Sequence, residues 1–183
     1  MAERIRADAQ RNRARLLEEA ARAFAVADGP VSLEAIARDA GVGIGTLYRH
    51  FPNREALTEA VYRAELAEVS ASAADLLTCQ PPVKALRLWM DRYAAFVAAK
   101  RGMAESLRAV LASGAMEVSE TRVSIVGAVD LMLLAGARDG SLRDDVRADD
   151  VVSSLLGIFL ASQSVDQAQR LLDLLTDGLV VKG

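Results

Sequence analysis

Apolar residues recur at spacings of three and four along most of the chain, and this pattern predicts α-helices. A first amphipathic helix is predicted over residues 11–27, with an apolar stripe formed by Leu16, Leu17, Ala20, Ala21, Phe24 and Ala25. Asp28-Gly29-Pro30 should end it, because glycine suits a left-handed cap and proline cannot continue the hydrogen-bond ladder. Ser32 is then placed to cap a short second helix, whose predicted inward-facing residues are Leu33, Ile36, Ala37 and Ala40.

The remaining pattern predicts further helices separated by glycine, proline and polar residues. Gly41 ends the second helix, a third covers about 44–51, and Asn53 is the predicted cap of a fourth over 54–78. Later helices are predicted at about 83–100, 103–112, 117–138, 149–162 and 165–181, with Asp149 capping the helix at 149–162. The predicted fold class is all-α with about nine helices. Residues 1–53 form a three-helix domain, 54–78 a connecting helix, and 54–183 a second helical domain.

Composition agrees with a helical protein and narrows its location. Of the 183 residues, 52% are hydrophobic and only 4% are aromatic. No apolar run reaches the ~20 residues that span a bilayer, and the charged start of the chain lacks the apolar stretch of a signal peptide. Cys79 is the single cysteine, which leaves no disulfide framework and no cysteine metal cluster. We expect a cytoplasmic protein without membrane contact.

Charge is distributed unevenly along the chain. The net charge of −3 argues against a nucleic-acid partner at first sight. Residues 1–15, however, contain five arginines against Glu3 and Asp8, whereas residues 64–183 contain twelve basic and sixteen acidic residues. This asymmetry is compatible with a small DNA-binding head on an acidic body, and equally with a solvated, disordered arm at the start of the chain.

The segment from Ser32 to Arg54 reads SLEAIARDAGVGIGTLYRHFPNR and predicts a helix-turn-helix, two short helices joined by a turn that contains glycine. Val42, Leu47 and Phe51 can fix the inner face of the second helix. Its outer face would enter a DNA major groove about 12 Å wide. Gly43 and Gly45 each cost such a helix roughly 1 kcal/mol relative to alanine. Close approach to DNA and tight helix packing both explain them.

The run from Ala40 to Leu57, AGVGIGTLYRHFPNREAL, closely resembles the signature of TetR-family transcriptional regulators. Phe24, Ser32 and Ile36-Ala37 also match, and the resemblance is strong over residues 10–63. It implies a ligand-responsive regulator, most often a repressor, that binds palindromic double-stranded operator DNA as a homodimer. A small apolar or amphipathic effector would release the DNA. A regulator controlled by a partner protein, and a helical enzyme or adaptor that reuses the fold, remain as alternatives.

The resemblance assigns DNA contacts to individual residues. Thr46 and Tyr48 match phosphate-binding positions, His50 and Arg54 match other backbone contacts, and Ser32 matches a cap that often meets a phosphate. The positions that approach base edges or the groove floor are Gly43, Ile44, Gly45 and Arg49. Because Gly43 stands where many relatives carry serine, polar base readout narrows to Thr46 and Arg49, with Ile44 able to touch a thymine methyl.

Two further sites follow from the resemblance and from apolar patterning of the second domain. The predicted ligand pocket comprises Trp89, Tyr93, Phe96, Met103, Leu107 and Met132, for which plain core packing is the alternative. Wide apolar stripes on the last two helices predict a two-fold four-helix bundle. Its interface residues are Val152, Leu155, Leu156, Phe159, Ala168, Leu171, Leu172 and Leu175. Here the alternative is that both helices merely close the core of one monomer.

Catalytic and metal sites find little support in the sequence. Gly41–Gly45 lacks both a preceding strand and the GK[ST] of a nucleotide-binding loop. His50 is the only histidine, so a histidine-based metal site or catalytic triad has no partners. The aspartates at 144, 145, 149 and 150 do not have calcium-loop spacing. We expect no enzyme activity, no cofactor and no metal.

Overall fold

The computed structural model describes residues 2–26, 31–99 and 118–181, and the regular structure within them is helical. The helices are α1 (Ala2–Val26), α2 (Leu33–Asp39), α3 (Ile44–His50), α4 (Arg54–Cys79), α5 (Pro82–Ala99), α6 (Val118–Asp139), α7 (Ala148–Ala161) and α8 (Val165–Leu179). The all-α prediction is confirmed. The helix predicted near 103–112 lies outside the described residues. No described helix is long and apolar enough to cross a membrane.

The chain folds as two compact units. The described residues up to Glu65 belong to the first unit, and residues 66–97 and 118–181 belong to the second. The first unit therefore extends twelve residues beyond the predicted boundary at 53 and includes the start of α4. Because α4 is one continuous helix, it contributes residues to both units.

The core of the first unit follows the predicted apolar positions of α1, α2 and α3, except that Ala25 is exposed. Its buried residues come from α1 (Leu16, Ala20, Phe24), α2 (Leu33, Ile36, Ala37), α3 (Leu47) and α4 (Leu57, Val61), together with Ala40 and Phe51. Both predicted caps are confirmed. Ser32 Oγ accepts a hydrogen bond from the Ala35 amide at 3.2 Å, and Asn53 Oδ1 accepts one from the Ala56 amide at 2.8 Å.

Helix α1 begins at Ala2, well before the predicted start at residue 11. Ion pairs at helical spacing lie along its solvent face, where Arg11 meets Asp8 and Arg22 meets both Glu18 and Glu19. Pairs at these spacings each stabilise a helix by only a few tenths of a kcal/mol, roughly 0.2–0.5 kcal/mol. The start of the chain is thus a helix in this structure, not the disordered arm that charge alone allowed.

In the second unit, α5 supplies three fully buried side chains, Leu86, Trp89 and Met90. The Trp89 indole Nε1 donates a 2.9 Å hydrogen bond to the Val69 carbonyl, which joins α5 to α4. Arg87 joins α5 to α8, because its guanidinium donates to Asp173 at 2.7 Å and to Gln169 at 2.5 Å. These partly buried and exposed hydrogen bonds help to set the register between the helices.

The predicted cap of α7 is wrong. Arg147 occupies the cap position and makes no side-chain cap hydrogen bond. The carboxylate of Asp149 instead accepts a 2.8 Å hydrogen bond from Arg122 Nε on α6. This contact lowers the pKa of Asp149 below its ordinary value. An acidic residue at the start of a helix resembles an N-cap in the sequence. Here its carboxylate instead accepts a hydrogen bond from an arginine of another helix.

The turn after α6 is closed by Leu142, which packs onto a glycine. Gly140 has φ +76° and ends the helix, and the amides of Ser141 and Leu142 both donate to the Gly136 carbonyl, at 2.9 and 3.0 Å. Leu142 is buried against Gly136. Leu142 also forms an isolated β-bridge with Val180, the C-cap of α8. Helix α8 therefore ends at Leu179, two residues before the predicted end at 181.

Gly136→Ala is expected to lower the free energy of unfolding by about 1–3 kcal/mol, the usual cost of overpacking. A Cβ at Gly136 would lie 2.7 Å from Leu142 Cβ and closer still to its Cγ and Cδ1. Urea unfolding measures the effect. Gly127→Ala is the matched control on the same helix, because no described residue lies within 4 Å of its added Cβ. That change should stabilise by up to about 1 kcal/mol. Equal effects of both changes would contradict this packing.

Candidate nucleic-acid interface

The turn between α2 and α3 is built on one glycine that must adopt a left-handed conformation. Gly41 has φ +68°, which L side chains rarely adopt. The Gly41 amide donates to the Arg38 carbonyl and the Val42 amide to the Ala37 carbonyl, each at 2.9 Å. Leu47 and Phe51 anchor the inner face of α3 and are fully buried. The segment is therefore a helix-turn-helix, as the sequence predicts, with α3 as its second helix.

The outer face of α3 is open to solvent. Ile44 and Tyr48 keep 36% and 45% of their surface exposed, and Arg49 is also exposed, whereas Thr46 and His50 are partly buried. The structure thus brings together on α3 and its cap all the predicted DNA-contacting residues except Ser32 and Arg54. Exposed large hydrophobic and aromatic side chains beside an arginine are suited to an interface.

Among the described residues, none packs where a side chain of the two glycines on this face would begin. Gly43 caps α3 with φ −72°, and Gly45 lies within the helix, so neither needs a positive φ. A Cβ added to either would meet nothing within 4 Å among the described residues. Tight packing against another part of the chain was one of the two explanations left open by the sequence, and it is excluded for the described residues. Close approach of an external partner is the explanation that remains for these glycines.

The two candidates for polar base readout contact each other. Arg49 folds back along α3, where its Nε donates to the Gly45 carbonyl at 3.2 Å and its Nη2 to Thr46 Oγ1 at 3.4 Å. Both hydrogen bonds are exposed and long, so exchanging them for contacts to a base edge costs little. A guanidinium can then meet guanine O6 and N7 with two parallel hydrogen bonds.

Ser32 is more constrained than the sequence suggests. Besides capping α2, its hydroxyl donates to Glu34 Oε2 at 3.0 Å. The pKa of Glu34 lies below its ordinary value, chiefly because a backbone N–H donates to its carboxylate and then because of this hydroxyl. Glu34 is therefore anionic at neutral pH beside the predicted phosphate. The Ser32 hydroxyl is already used, which leaves the backbone amide as the better phosphate donor at this cap.

Arg54 makes a hydrogen bond to the backbone just before α2. Its Nη2 donates a 2.6 Å, partly buried hydrogen bond to the Val31 carbonyl, so the first turn of α4 is tied to the residue before Ser32. The sequence did not predict this contact, because it joins residues far apart in the chain. The guanidinium has five N–H donors in all, and this bond uses one of them. A phosphate contact from Arg54 stays a prediction.

We expect Arg54→Ala to weaken operator binding roughly tenfold. If the guanidinium meets a phosphate, the slope of log affinity against log salt should also become shallower by about 1 for each protomer. Anisotropy titrations at several salt concentrations measure both quantities. Arg92→Ala, an exposed arginine on α5, is the control for loss of one charge. A weaker affinity with an unchanged slope would leave Arg54 as a positioning residue and contradict the phosphate contact.

Arg13 was not predicted as part of this site. Its guanidinium lies over the Phe51 ring, 5.2 Å from the centroid, which is a cation–π geometry. Phe51 follows His50 directly, so an α1 arginine is held near the last turn of α3. The arginine-rich start of the chain was the only sequence signal for this arrangement.

The predicted ligand-pocket residues that the structure describes form a buried cluster in the second unit. Trp89, Tyr93, Phe96 and Met132 are all buried. Neighbouring rings on α5 stack, with centroids 5.4 Å apart for Trp89 and Tyr93 and 6.0 Å for Tyr93 and Phe96. Met103 and Leu107 lie outside the described residues.

The predicted dimer interface needs correction at several positions. Val152, Leu155 and Leu172 are buried within one chain, so they offer no surface to a second copy. Phe159 is partly buried, and its ring meets Tyr93 edge-on at 5.6 Å. Of the predicted set, Leu156 is exposed, and Ala168, Leu171 and Leu175 are partly exposed. Leu160 and Leu174, 87% and 66% exposed, were left out of the predicted interface.

Two family profiles match the chain. "Bacterial regulatory proteins, tetR family" matches residues 16–61, which contain the helix-turn-helix, and "Transcriptional regulator SbtR-like, C-terminal domain" matches residues 81–181. The chain belongs to the TetR family. It is thus a DNA-binding transcriptional regulator and not an enzyme, in agreement with the sequence-based prediction.

Solved structures of TetR regulators are similar over nearly the whole chain. One from Streptomyces coelicolor is 46% identical with a TM-score of 0.82, covering 93% of this chain and 99% of that chain. Another from Mycobacterium vanbaalenii is 32% identical with a TM-score of 0.76, covering 97% and 99%. RolR in complex with the ligand resorcinol is 19% identical with a TM-score of 0.54, covering 94% and 89%, and is similar in fold alone. No curated protein sequence is significantly similar.

Proposed function

We propose that this TetR-family regulator is a ligand-responsive repressor that binds palindromic operator DNA as a homodimer in the cytoplasm and releases it when a small molecule binds. The observation that carries the proposal is the outer face of α3. Gly45 weakens a short helix and Gly43 caps it without a side-chain hydrogen bond, yet a Cβ added to either would meet no described residue within 4 Å. A helix built this way is suited to lie with its backbone close to the floor of a major groove.

The residues around these glycines supply a complete set of DNA contacts. Thr46 and Tyr48 donate to phosphates, and Ile44 meets a thymine methyl. Arg49 reads a base edge once it leaves Thr46. His50 and Arg54 contact the backbone, with Ser32 contributing its amide. Half or more of the hydrogen bonds in such interfaces go to the backbone, so this division between positioning and readout is the expected one.

The homodimer is proposed through the exposed faces of α7 and α8. Leu156 and Leu160 lie one turn apart on α7, and Leu174 is exposed on α8. Gly157 and Gly178 lie beside them, and a Cβ added to either would meet nothing within 4 Å in the described part of the chain. Glycines inside helices that no contact within the chain requires are explained by a partner helix that approaches closely. A two-fold pair of α7–α8 hairpins would bury these leucines in a four-helix bundle.

The effector is proposed to bind beside the aromatic cluster of α5. Buried aromatic and methionine side chains suit a small apolar or amphipathic molecule. RolR shows that a protein of this fold can hold resorcinol, a small aromatic ligand. The hydrogen bond from Trp89 to Val69 offers a route for the response, because a ligand that moves Trp89 also acts on α4. As α4 continues into the DNA-binding unit, its movement would change the spacing of the two recognition helices.

Selection of bound duplexes from a random-sequence library tests the DNA part of the proposal. A dimer with two recognition helices should select an inverted repeat with half-site centres about 34–36 Å apart, or a near multiple. Enrichment of single half-sites, or of no motif, would contradict it.

Effector control is tested by linkage. A thermal-shift screen of small apolar and amphipathic compounds identifies binders, and calorimetry then measures their affinity with and without saturating operator. Operator should weaken effector binding by the same factor by which the effector weakens operator binding, roughly 5- to 150-fold. Equal affinities in both titrations, or the absence of any binder, would favour control by a partner protein instead.

A further inference from the structure

A concave site lies within the DNA-binding unit itself. It is a groove of about 530 Å³ between α1, the end of α3 and the first half of α4. Its floor is apolar, with Leu17 and Phe51 on one side and Ala56, Ala60 and Ala64 on successive turns of α4 on the other. Because the side chains of these three alanines are methyl groups, they leave the floor of the groove unfilled. The volume lies within the range of small-molecule sites, about 300–1,000 Å³.

The rim of this groove carries a small excess of positive charge. Its polar side chains are Arg13 from α1, His50 from α3, and Glu59 and Arg63 from α4. Glu59 and Arg63 are paired at 3.0 Å and offset each other, so the Arg13 guanidinium is the charge among the described lining residues that an anion would meet. Arg13 is positioned over the Phe51 ring, 5.2 Å from its centroid. An arginine held by a ring face can still direct its N–H donors toward an anion.

We propose that this groove binds a small organic anion, an apolar body with one carboxylate, sulfonate or phosphate group. The body lies on the alanine floor of α4, and the anionic group meets Arg13 and His50. An apolar floor with a few convergent polar groups is what distinguishes a ligand site from a general basic surface. A bare inorganic anion would use the rim and leave the floor uncovered.

Occupation of the groove should weaken operator binding. His50 belongs to the last turn of α3 and is also the proposed contact to a DNA phosphate, so the anion and the DNA backbone compete for it. This consequence rests on the proposed DNA contact, whereas ligand binding itself does not. The groove would thus act as a second control site, independent of an effector at the aromatic cluster.

The single histidine of the chain provides a reporter for binding. We would titrate the wild-type dimer with 8-anilinonaphthalene-1-sulfonate, an apolar ring system that carries one sulfonate, and follow the His50 imidazole resonances by NMR. The resonances should shift saturably, because the bound sulfonate lies next to the imidazole ring. Dye bound elsewhere in the protein would leave them unchanged.

Three variants locate the site. Arg13→Gln should raise the dye concentration at half-saturation roughly tenfold, because a charge-assisted contact is lost. Ala60→Leu fills the floor of the groove and keeps every charge, so it should abolish the dye-induced shift of the His50 resonances. Arg6→Gln is the matched control, since Arg6 is an exposed arginine of the same helix outside the groove. Equal responses in all three folded variants, or unshifted His50 resonances in the wild type, would overturn the proposal.

Sulfate and operator complete the experiment. Sulfate alone should shift His50 only at concentrations at least about tenfold higher than the dye, because it cannot cover the floor. Equal midpoints would show recognition of charge alone and overturn the assigned ligand class. With operator, the dye should raise the apparent dissociation constant of wild type but not of Ala60→Leu. Dye binding without this effect would overturn the control role, whereas failure to bind operator in the absence of dye would count against the proposed function only.

Discussion

Gly45→Leu is expected to abolish operator binding in a protein that stays folded and dimeric. A Cβ added at Gly45 meets no described residue within 4 Å, so we expect the side chain to extend into open space and the free energy of unfolding to rise by up to about 1 kcal/mol. In the complex, the same side chain stands between the α3 backbone and the groove floor. Displacing the helix removes several base and phosphate contacts at once, each worth about 1–3 kcal/mol, so affinity should fall by at least about 100-fold.

Urea unfolding and operator anisotropy, measured on the same preparation, separate these two effects. Gly127→Leu on α6 is the matched control, since it makes the same exchange at a helical glycine whose added Cβ also meets no described residue within 4 Å. It should leave operator affinity unchanged. Unaltered operator binding by a folded Gly45→Leu dimer would show that nothing approaches α3 closely and would remove the observation on which the proposed function rests.

Leu160→Glu is expected to convert the dimer into monomers. Leu160 is 87% exposed in the single chain, so the substitution leaves the monomer core intact. In the proposed four-helix bundle the carboxylate would be buried without a partner, at a cost of several kcal/mol for each protomer. Operator affinity should fall by at least about 100-fold, because a monomer binds only one half-site and loses the gain from linked binding of both.

Sedimentation velocity and operator anisotropy measure this result. Val123→Glu on α6 is the matched control, because Val123 is an apolar side chain with 72% exposure that lies outside the proposed interface. Leu172→Glu is unsuitable as a test of assembly, because Leu172 is buried in its own chain and a charge there should unfold the monomer. A Leu160→Glu protein that remains dimeric with full operator affinity would place the interface elsewhere.

Local sequence patterns were sufficient to predict most of the structure of the first unit. The inward positions of α1 to α3, the caps at Ser32 and Asn53, and the turn at Gly41 all depend on residues within a few positions of each other. Such interactions leave a direct trace in sequence as periodicity, capping chemistry and a glycine where φ is positive. The helix-turn-helix was therefore predicted in detail, including the residues that anchor α3.

Contacts between distant residues explain most of what the sequence missed. Arg54 with Val31, Arg122 with Asp149, and Arg13 with Phe51 each join different elements. The sequence identifies arginine and a nearby helix terminus but not which acceptor or ring the guanidinium meets. For this reason Asp149 was assigned to a cap, and Arg54 was predicted to contact phosphate alone.

The last two helices show a second limit, which is the choice between two apolar surfaces. The stripe of α7 is wide enough to cover both its own core and a partner, and periodicity does not say which leucine faces which way. Leu155 turned out to face the core, whereas Leu160 faces solvent. Gly157 is exposed, and a Cβ added there meets no described residue within 4 Å, so in the proposed dimer it would lie on the face that another backbone approaches.

The most direct test of the account is an anisotropy titration of labelled operator, obtained by selection, against a scrambled duplex of the same length. Wild type should bind operator at least about 1,000-fold more tightly than the scrambled duplex at physiological salt. Tyr48→Phe and Thr46→Ala should each weaken operator binding while their unfolding curves match that of the wild type. Equal affinity for both duplexes, or operator binding by both folded variants that equals wild type, would contradict recognition through α3.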